Sequence, residues 1–321
     1  MSDFDVCVVG EINLDLILYG LPKELVLDRE LLASGLAITL GSSSAIFAHN
    51  LAMLGSKVGF VGKIGGDALG KMALERLAAA GVDVSRVKQA TERITGLTVV
   101  LPYSRQRCIL TFPGTMFELE YSDIDMGRMR AARHLHVSSF FLHRKLRKRF
   151  VDLFRQAKEA GLTTSLDTND DPENKWDPDL LEVLKHVDIF LPNDREAKKI
   201  AHTEDLSQAI NLLAGLAKVV VVKRGSAAAI CRSGQQQYSL MPPSVKPVDD
   251  VGAGDSFDAG FIHKFTAGAS LEDCLAFANL AGAYSTTKEG GTEGFRDRIA
   301  LTSFMRQHGE TVGRNMPPLK G

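Results

Sequence analysis

Six short apolar runs, each stopping at glycine or a polar residue, constrain this chain more than any other feature. They are "FDVCVVG" (4–10), "KVGFVGKIG" (57–65), "HLHVSSFFL" (134–142), "LTTSLDTN" (162–169), "VDIFLPN" (187–193) and "KVVVVKRG" (218–225). Short continuous apolar runs of this kind read as strands buried on both faces. Between them lie the helical patterns "SSSAIFAHNLAMLG", "ALGKMALERLAAAG", "KLRKRFVDLFRQAKEAG" and "REAKKIAHT", several closed by glycine. This alternation predicts an α/β fold with a central, mostly parallel sheet and helices on both faces. Ligands of such sheets bind beyond the carboxyl ends of the strands, which singles out Asn13, Asp15, Asn169, Asn193, Glu196, Lys223 and Gly225.

Four β-rich pieces stand outside the alternation: "LDLILYG", "ASGLAITLG", "TGLTVVLPY" and "RCILTFPG". Only "SRQ" separates the last two, so they are expected to form a hairpin. They are too few for a second core. The expectation is a single domain over 1–321, with a small β-sheet lid built from segments roughly 13–19, 33–41, 93–102 and 106–112. The terminal "RNMPPLKG" reads as a frayed tail.

A net charge of -1, with acids and bases spread along the chain, gives no field to hold nucleic acid or an anionic membrane. Any polyanionic ligand must then be small and gripped locally. The basic "HRKLRKRF" alternates with leucine and phenylalanine and reads as a solvated helix start. Cys7, Cys108, Cys231 and Cys274 are scattered, with no CxxC pair and no histidine at ligand spacing, which suggests neither zinc nor a disulfide framework. The N-terminus has no basic-then-apolar leader, and no apolar run reaches the ~18 residues of a membrane span, so a cytoplasmic protein is expected.

The segment "VDDVGAGDSFDAGF" (248–261) carries the chemistry. Helical periodicity begins near Asp255, behind the small residues Gly252, Ala253 and Gly254. Small residues before a helix let backbone N–H groups converge, and the unsatisfied donors of the first turn make an anion site. A carboxylate in a phosphate cradle is repulsive unless it faces an acceptor hydroxyl and takes its proton during phosphoryl transfer. The plainer alternative is a turn with an N-capping aspartate. In "LPNDRE", Asn193 and Glu196 are either a capping pair or organisers of Mg2+ and its waters. Lys223 and Gly225 end a strand where a nucleotide's phosphates could lie, though a lysine there is also simply solvated. Asn13 and Asp15 suit sugar hydroxyls, or form the polar face of an exposed strand.

Taken together, "GEINLDL", "GSSSAIFAHNLAMLGSKVGFVGKIGGDALG", "SLDTN", "LPNDRE", "VVVKRG" and "VDDVGAGDSFDAGF" resemble, in order, ribokinase-like, PfkB-type carbohydrate kinases from about Val6 to about Phe295. The resemblance implies a Rossmann-like ribokinase fold with a β lid, ATP and Mg2+, and transfer of the γ-phosphoryl group to a sugar or related hydroxyl. By position it implies Asp255 as catalytic base and Gly252, Ala253 and Gly254 as anion hole. It implies Asn193, Lys223, Gly225 and Asn279 as nucleotide contacts, and Glu196 as serving Mg2+ through water. Asp15, Asn13, Gly41, Ser42, Ser43 and Asn169 would bind the sugar. Asp249, Val251, Ser285 and Gly290 would hold a monovalent cation such as K+.

Two departures from the family pattern stand out. Ile46 occupies the place of a substrate-binding asparagine, and Asp250 that of a common threonine. Isoleucine cannot bond a hydroxyl, so the acceptor is held differently or is not a typical ribose or fructose. Asp250 near a triphosphate must face solvent, a cation or a basic group. Asp258 is expected on the helix surface, and Arg105 or Arg107 could reach a phosphate on the substrate. A non-catalytic sugar or nucleotide sensor and a nucleoside kinase of the same fold are the alternatives. A dinucleotide oxidoreductase is set aside because no GxGxxG follows the first strand. The edges of a small β lid suggest a homodimer through that lid.

Overall fold

A computed structural model describes residues 3–22, 26–103 and 106–312. Along the chain run β1 (Phe4–Val9), β2 (Asn13–Tyr19), β3 (Gly35–Gly41), α1 (Ser43–Met53), β4 (Val58–Gly65), α2 (Ala68–Ala79), β5 (Asp83–Ala90), β6 (Gly96–Tyr103) and β7 (Gln106–Phe112). There follow α3 (Met126–Met129), β8 (Ala132–Val137), α4 (Phe150–Glu159), β9 (Thr163–Leu166), α5 (Asp179–Leu184), β10 (Ile189–Phe190), α6 (Asp194–Ile200), α7 (Leu206–Ala214) and β11 (Val219–Val222). Last come β12 (Ala229–Ser233), β13 (Gln236–Leu240), α8 (Ala253–Thr266), α9 (Leu271–Ser285), α10 (Glu293–Arg296) and α11 (Arg298–Val312). The expected tail lies outside the described residues, as does Arg105.

The large sheet has the order β13-β12-β11-β10-β9-β8-β1-β4-β5. It is parallel from β11 through β5, and β12 and β13 join antiparallel. Period-two alternation sends Val6 and Val8 of β1 into one core with α1, α8 and α9, and Cys7 and Val9 into the opposite core with α4 and α7. This is the two-sided burial that the apolar runs require. The edge strands β5 and β13, and β12 beside β13, were not among the apolar runs. Edges pair on one side only, so "DVSRVKQA" and "QQYSL" carry polar residues that a central strand would not.

Two segments depart from the sequence reading. "HLHVSSFFL" stays extended only to Val137, and Ser139 turns the chain through left-handed φ 55 into a 3-10 turn at Phe140–Leu142. In "HRKLRKRF" the α-helix starts only at Phe150. Arg147 bonds Asp177 and Asp179 and lies over the Phe140 and Phe141 rings, so this basic residue braces the 3-10 turns instead of opening a solvated helix.

A four-stranded sheet of order β3-β2-β6-β7 is separate from the large one. Strand alternation gives it two unlike faces. Asn13, Asp15, Thr39 and Thr98 share the buried face, whereas Leu36, Ile38, Leu110 and Phe112 lie on the opposite face and are exposed. No helix among the described residues is long and apolar enough to cross a membrane.

Candidate active site

Helix α8 begins at a position only glycine can hold. Gly252 caps it with φ 70, and a Cβ there would stand 2.6 Å from Gly291 Cα. The Gly252 carbonyl accepts from Ser256 N (2.9 Å) and Ser256 Oγ (2.7 Å), and Ala253 N–H closes a turn onto Asp250 O at 3.3 Å. The Gly254 and Asp255 N–H groups are then the first-turn donors with no intrahelical acceptor. Asp255 lies buried beside them with its carboxylate bonded by the Ser43 hydroxyl. Burial, reinforced by the Asp167 carboxylate, pushes Asp255 up to about 7 against the pull of Lys223 and Ser43. A carboxyl poised there can take a hydroxyl proton near neutrality.

Lys223, one residue past β11, organises the floor beneath this turn. Its Nζ lies 2.9 Å from Asp258 Oδ2 and 3.2 Å from Asp167 Oδ2, and a Cβ on Gly254 would be 3.7 Å from it. Burial opposes the ammonium charge, but Asp167, Asp258 and Glu196 outweigh it and hold Lys223 well above the usual lysine range. Asp258 is therefore not on the helix surface as expected. It is 1 % exposed, one turn beyond Asp255 on the same side of α8, where burial raises its carboxyl. Asp167 was not singled out either, although its place just past β9 obeys the same strand-end rule that selected Asn169.

Asn193 and Glu196 form a complete capping box on α6. Asn193 Oδ1 accepts from Glu196 N, and Glu196 accepts from both Asn193 N and Asn193 Nδ2. Burial and Asp167 push Glu196 up to about 7, with Lys223 opposing. Both of its oxygens are engaged, so a metal served by Glu196 would be met through water. Gly225 has φ 56 and open space where a Cβ would stand, and with Asn193, Lys223 and Arg224 it lines an open cleft. Asn279 is buried and donates to Leu240 O, which ties α9 to β13.

Across the turn after β3, the small sheet presents its polar face. Asn13 Nδ2 donates to Thr98 Oγ1 at 2.8 Å, and Asn13 Oδ1 is buried with no hydrogen-bond partner among the described residues. Gly41 must be glycine, because a Cβ would fall 2.1 Å from Asp15 Oδ1 and 2.6 Å from Asn13 Oδ1. Ser42 follows with φ 68 and donates to Glu11 O. Ser43 joins the two halves: its hydroxyl bonds Asp255 and accepts from Asn169 Nδ2, which also donates to Ser139 Oγ. Beneath the turn lies a pair the motif reading passed over. Glu11 accepts from Ser44 Oγ at 2.7 Å and faces His143 Nε2 at 3.3 Å, with both side chains fully buried. Burial opposes its ionisation, but His143, Ser44 and Ser139 hold it down to about 2. The glutamate of "GEIN" was the available signal, since an acid just after a buried strand needs a partner.

Residues 3–298 match the pfkB family carbohydrate kinase profile. The chain belongs to the pfkB family of carbohydrate kinases. It is 28% identical over 249 residues (76% of this chain, 97% of the relative) to an uncharacterized sugar kinase of Archaeoglobus fulgidus. It is 30% identical over 257 residues (78% and 81%) to an ATP-dependent ribose-1-phosphate kinase of Halopiger xanaduensis. A provisionally assigned Ribokinase II from E. coli, solved with ATP and Mg2+, superposes with TM-score 0.83 at 25% identity and covers 95% of this chain and 100% of its own. As a member of this family the chain is a phosphotransferase acting on sugar hydroxyls.

Against the family pattern, Ile46 has a packing place. It is 3 % exposed, and Cβ atoms on Gly252 and Gly291 would fall 3.1 and 2.7 Å from its side chain. Asp250 is exposed, which meets the condition for tolerating an extra carboxylate near phosphates. Asp249 accepts from Tyr19 OH (3.0 Å), Gly290 N (2.9 Å) and Val251 N (3.0 Å), which links β2 to the loop before α8. Val251 packs with Ile17 and Val100 of the small sheet, and Ser285 Oγ is buried with no hydrogen-bond partner among the described residues. Arg107 ends up on β7, in the hairpin with β6.

Proposed function

We propose that this kinase moves the γ-phosphoryl group of ATP onto a hydroxyl of a sugar held between the small sheet and the first turn of α8. One observation carries the proposal: buried Asp255 lies beside the Gly254 and Asp255 N–H donors and is bonded through Ser43 to the turn that bears the sugar-facing sheet. The acceptor hydroxyl gives its proton to Asp255 as its oxygen bonds the γ-phosphorus. The bond from that phosphorus to the β–γ bridging oxygen breaks, and ADP leaves. The N–H groups of the turn stabilise charge on the transferring group.

Asn13, Asp15, Gly41, Ser42, Ser43 and Asn169 serve the sugar. Asn13 Oδ1, buried and without a hydrogen-bond partner among the described residues, suits a substrate hydroxyl. Asn193, Lys223, Gly225 and Asn279 serve the nucleotide side. Glu196 would hold Mg2+ through water, and the ion would neutralise phosphate charge. Asp249, Val251, Ser285 and Gly290 are the proposed cation loop. The buried Ser285 hydroxyl supports a K+ there, while the three donors already on Asp249 compete with it.

The small sheet acts as a lid that excludes competing water. Its exposed Leu36, Ile38, Leu110 and Phe112 favour a second copy of this chain as cover, in the cytoplasm. Charged substitution of Leu110 and Phe112 should then turn a dimer into a monomer in sedimentation.

The test of function is ATP consumption against a panel of sugars, sugar phosphates, sugar acids and nucleosides, with Asp255→Asn alongside. Turnover with a sugar that the variant loses supports the proposal. Tight ligand binding without turnover for any acceptor would overturn it in favour of a sensor.

A further inference from the structure

Helix α1 turns one face toward the start of α8. Ser43, Ile46 and Asn50 recur at i, i+3 and i+7, and each touches the anion turn or the loop beside it. Ser43 bonds the Asp255 carboxylate. Ile46 fills the space against the Gly252 and Gly291 backbones. Asn50, fully buried, donates from Nδ2 to Ser256 Oγ and to Gly291 O, each at 2.9 Å. His49 Nδ1 sits 2.8 Å from Asn50 Oδ1, and this contact helps fix which end of the amide points at α8.

The bonds run in one direction. Asn50 donates to the Ser256 hydroxyl, and that hydroxyl donates to Gly252 O at 2.7 Å. Because the peptide is planar, holding the Gly252 carbonyl also sets the plane that carries Ala253 N–H. Ala253 N–H closes the turn onto Asp250 O, so the whole 250–253 turn is held from α1. That turn sets where the Gly254 and Asp255 N–H groups point.

We propose that Asn50 is a positioning residue for the anion site, acting through Ser256 and the Gly252 peptide, with Ile46 as apolar packing against the Gly252 and Gly291 backbones where the two meet. This rests on the phosphoryl-transfer reading of the same site. A shift of the donors is felt where charge develops, so it lowers turnover more than substrate binding.

Wild-type turnover is measured first, and its absence with every acceptor counts against the kinase reading alone. Where turnover exists, Asn50→Ala and Ser256→Ala each lower kcat about tenfold or more, with acceptor KM and ADP affinity within about twofold of wild type. The double variant is no slower than the slower single one, since both substitutions break one chain. Ser256→Thr, which keeps the hydroxyl, recovers most of the rate that Ser256→Ala loses. Calorimetry supplies a readout free of turnover: affinity for AMP-PNP falls relative to ADP in both alanine variants. A kcat within about twofold of wild type in either folded variant, or an equal loss of ADP and AMP-PNP affinity, overturns the proposal. If Asn50→Ala does not fold, Ser256→Ala decides.

Discussion

Around Lys223, four carboxyl groups crowd one buried ammonium: Asp167, Glu196, Asp255 and Asp258. On the small sheet, by contrast, Asn13, Thr39 and Thr98 accompany the single carboxylate of Asp15. The first region lies in the main core, at strand ends and a helix start, where each charge shifts its neighbours. The second lies on one face of a thin sheet whose other face is apolar and exposed at Leu36, Ile38, Leu110 and Phe112. On the proposed roles, substituting one residue in the first should disturb chemistry and folding together. In the second, it should change which acceptor fits and leave the core intact.

The largest expected effect tests the chemistry of the charged region. Asp255→Asn should lower kcat by about 10^2–10^4-fold while AMP-PNP affinity by calorimetry stays near wild type. On the proposed role of Asp255 the active form is the carboxylate, and burial pushes this group up to about 7, so log kcat/KM should rise with unit slope below that pH, flatten above it, and lose the slope in a residually active Asp255→Asn. The sign for folding is opposite. Asp255 and Glu196 are both raised to about 7, so the folded chain binds protons that the unfolded chain releases near pH 4. Their contribution is full below about pH 4 and lost as pH rises through 7. Asp255→Asn should thus gain stability over wild type at pH 8 relative to pH 5 in urea unfolding.

Next in size, Lys223→Met leaves Asp167 and Asp258 buried without their counter-charge, at a cost of about 3–5 kcal/mol in urea unfolding. Adding Asp258→Leu should recover part of it. Full stability in the single variant would break the contrast between the two regions. On the small sheet, Asp15→Asn should raise acceptor KM roughly tenfold with ATP KM unchanged, as expected for one hydrogen bond to a charged group. An equal rise in both KM values would show that the halves do not act separately. The smallest effect is Tyr19→Phe, which removes one bond between β2 and Asp249 and should cost about 1 kcal/mol. Urea unfolding reads this directly.

Residue order alone determined the alternation, the strand ends and the start of α8. Each follows from local rules: period two or 3.6 in apolar residues, glycine where φ is positive, and short polar residues at caps. Asp255, Asn193, Glu196 and Asp15 were legible as candidates because they sit in such signals. Only the tertiary structure decided which charges meet. Asp258 looked like a surface aspartate until Lys223, 35 residues away in sequence, came within 2.9 Å of it. Glu11 and His143 are 132 positions apart, and no periodicity pairs them. Ile46 looked like a lost hydrogen-bonding residue, yet it fills space that two distant glycines leave open. A local pattern states which face of an element is apolar. Partners for buried charge and shape for close contact come from elements distant in sequence, so they exist only once the chain has packed.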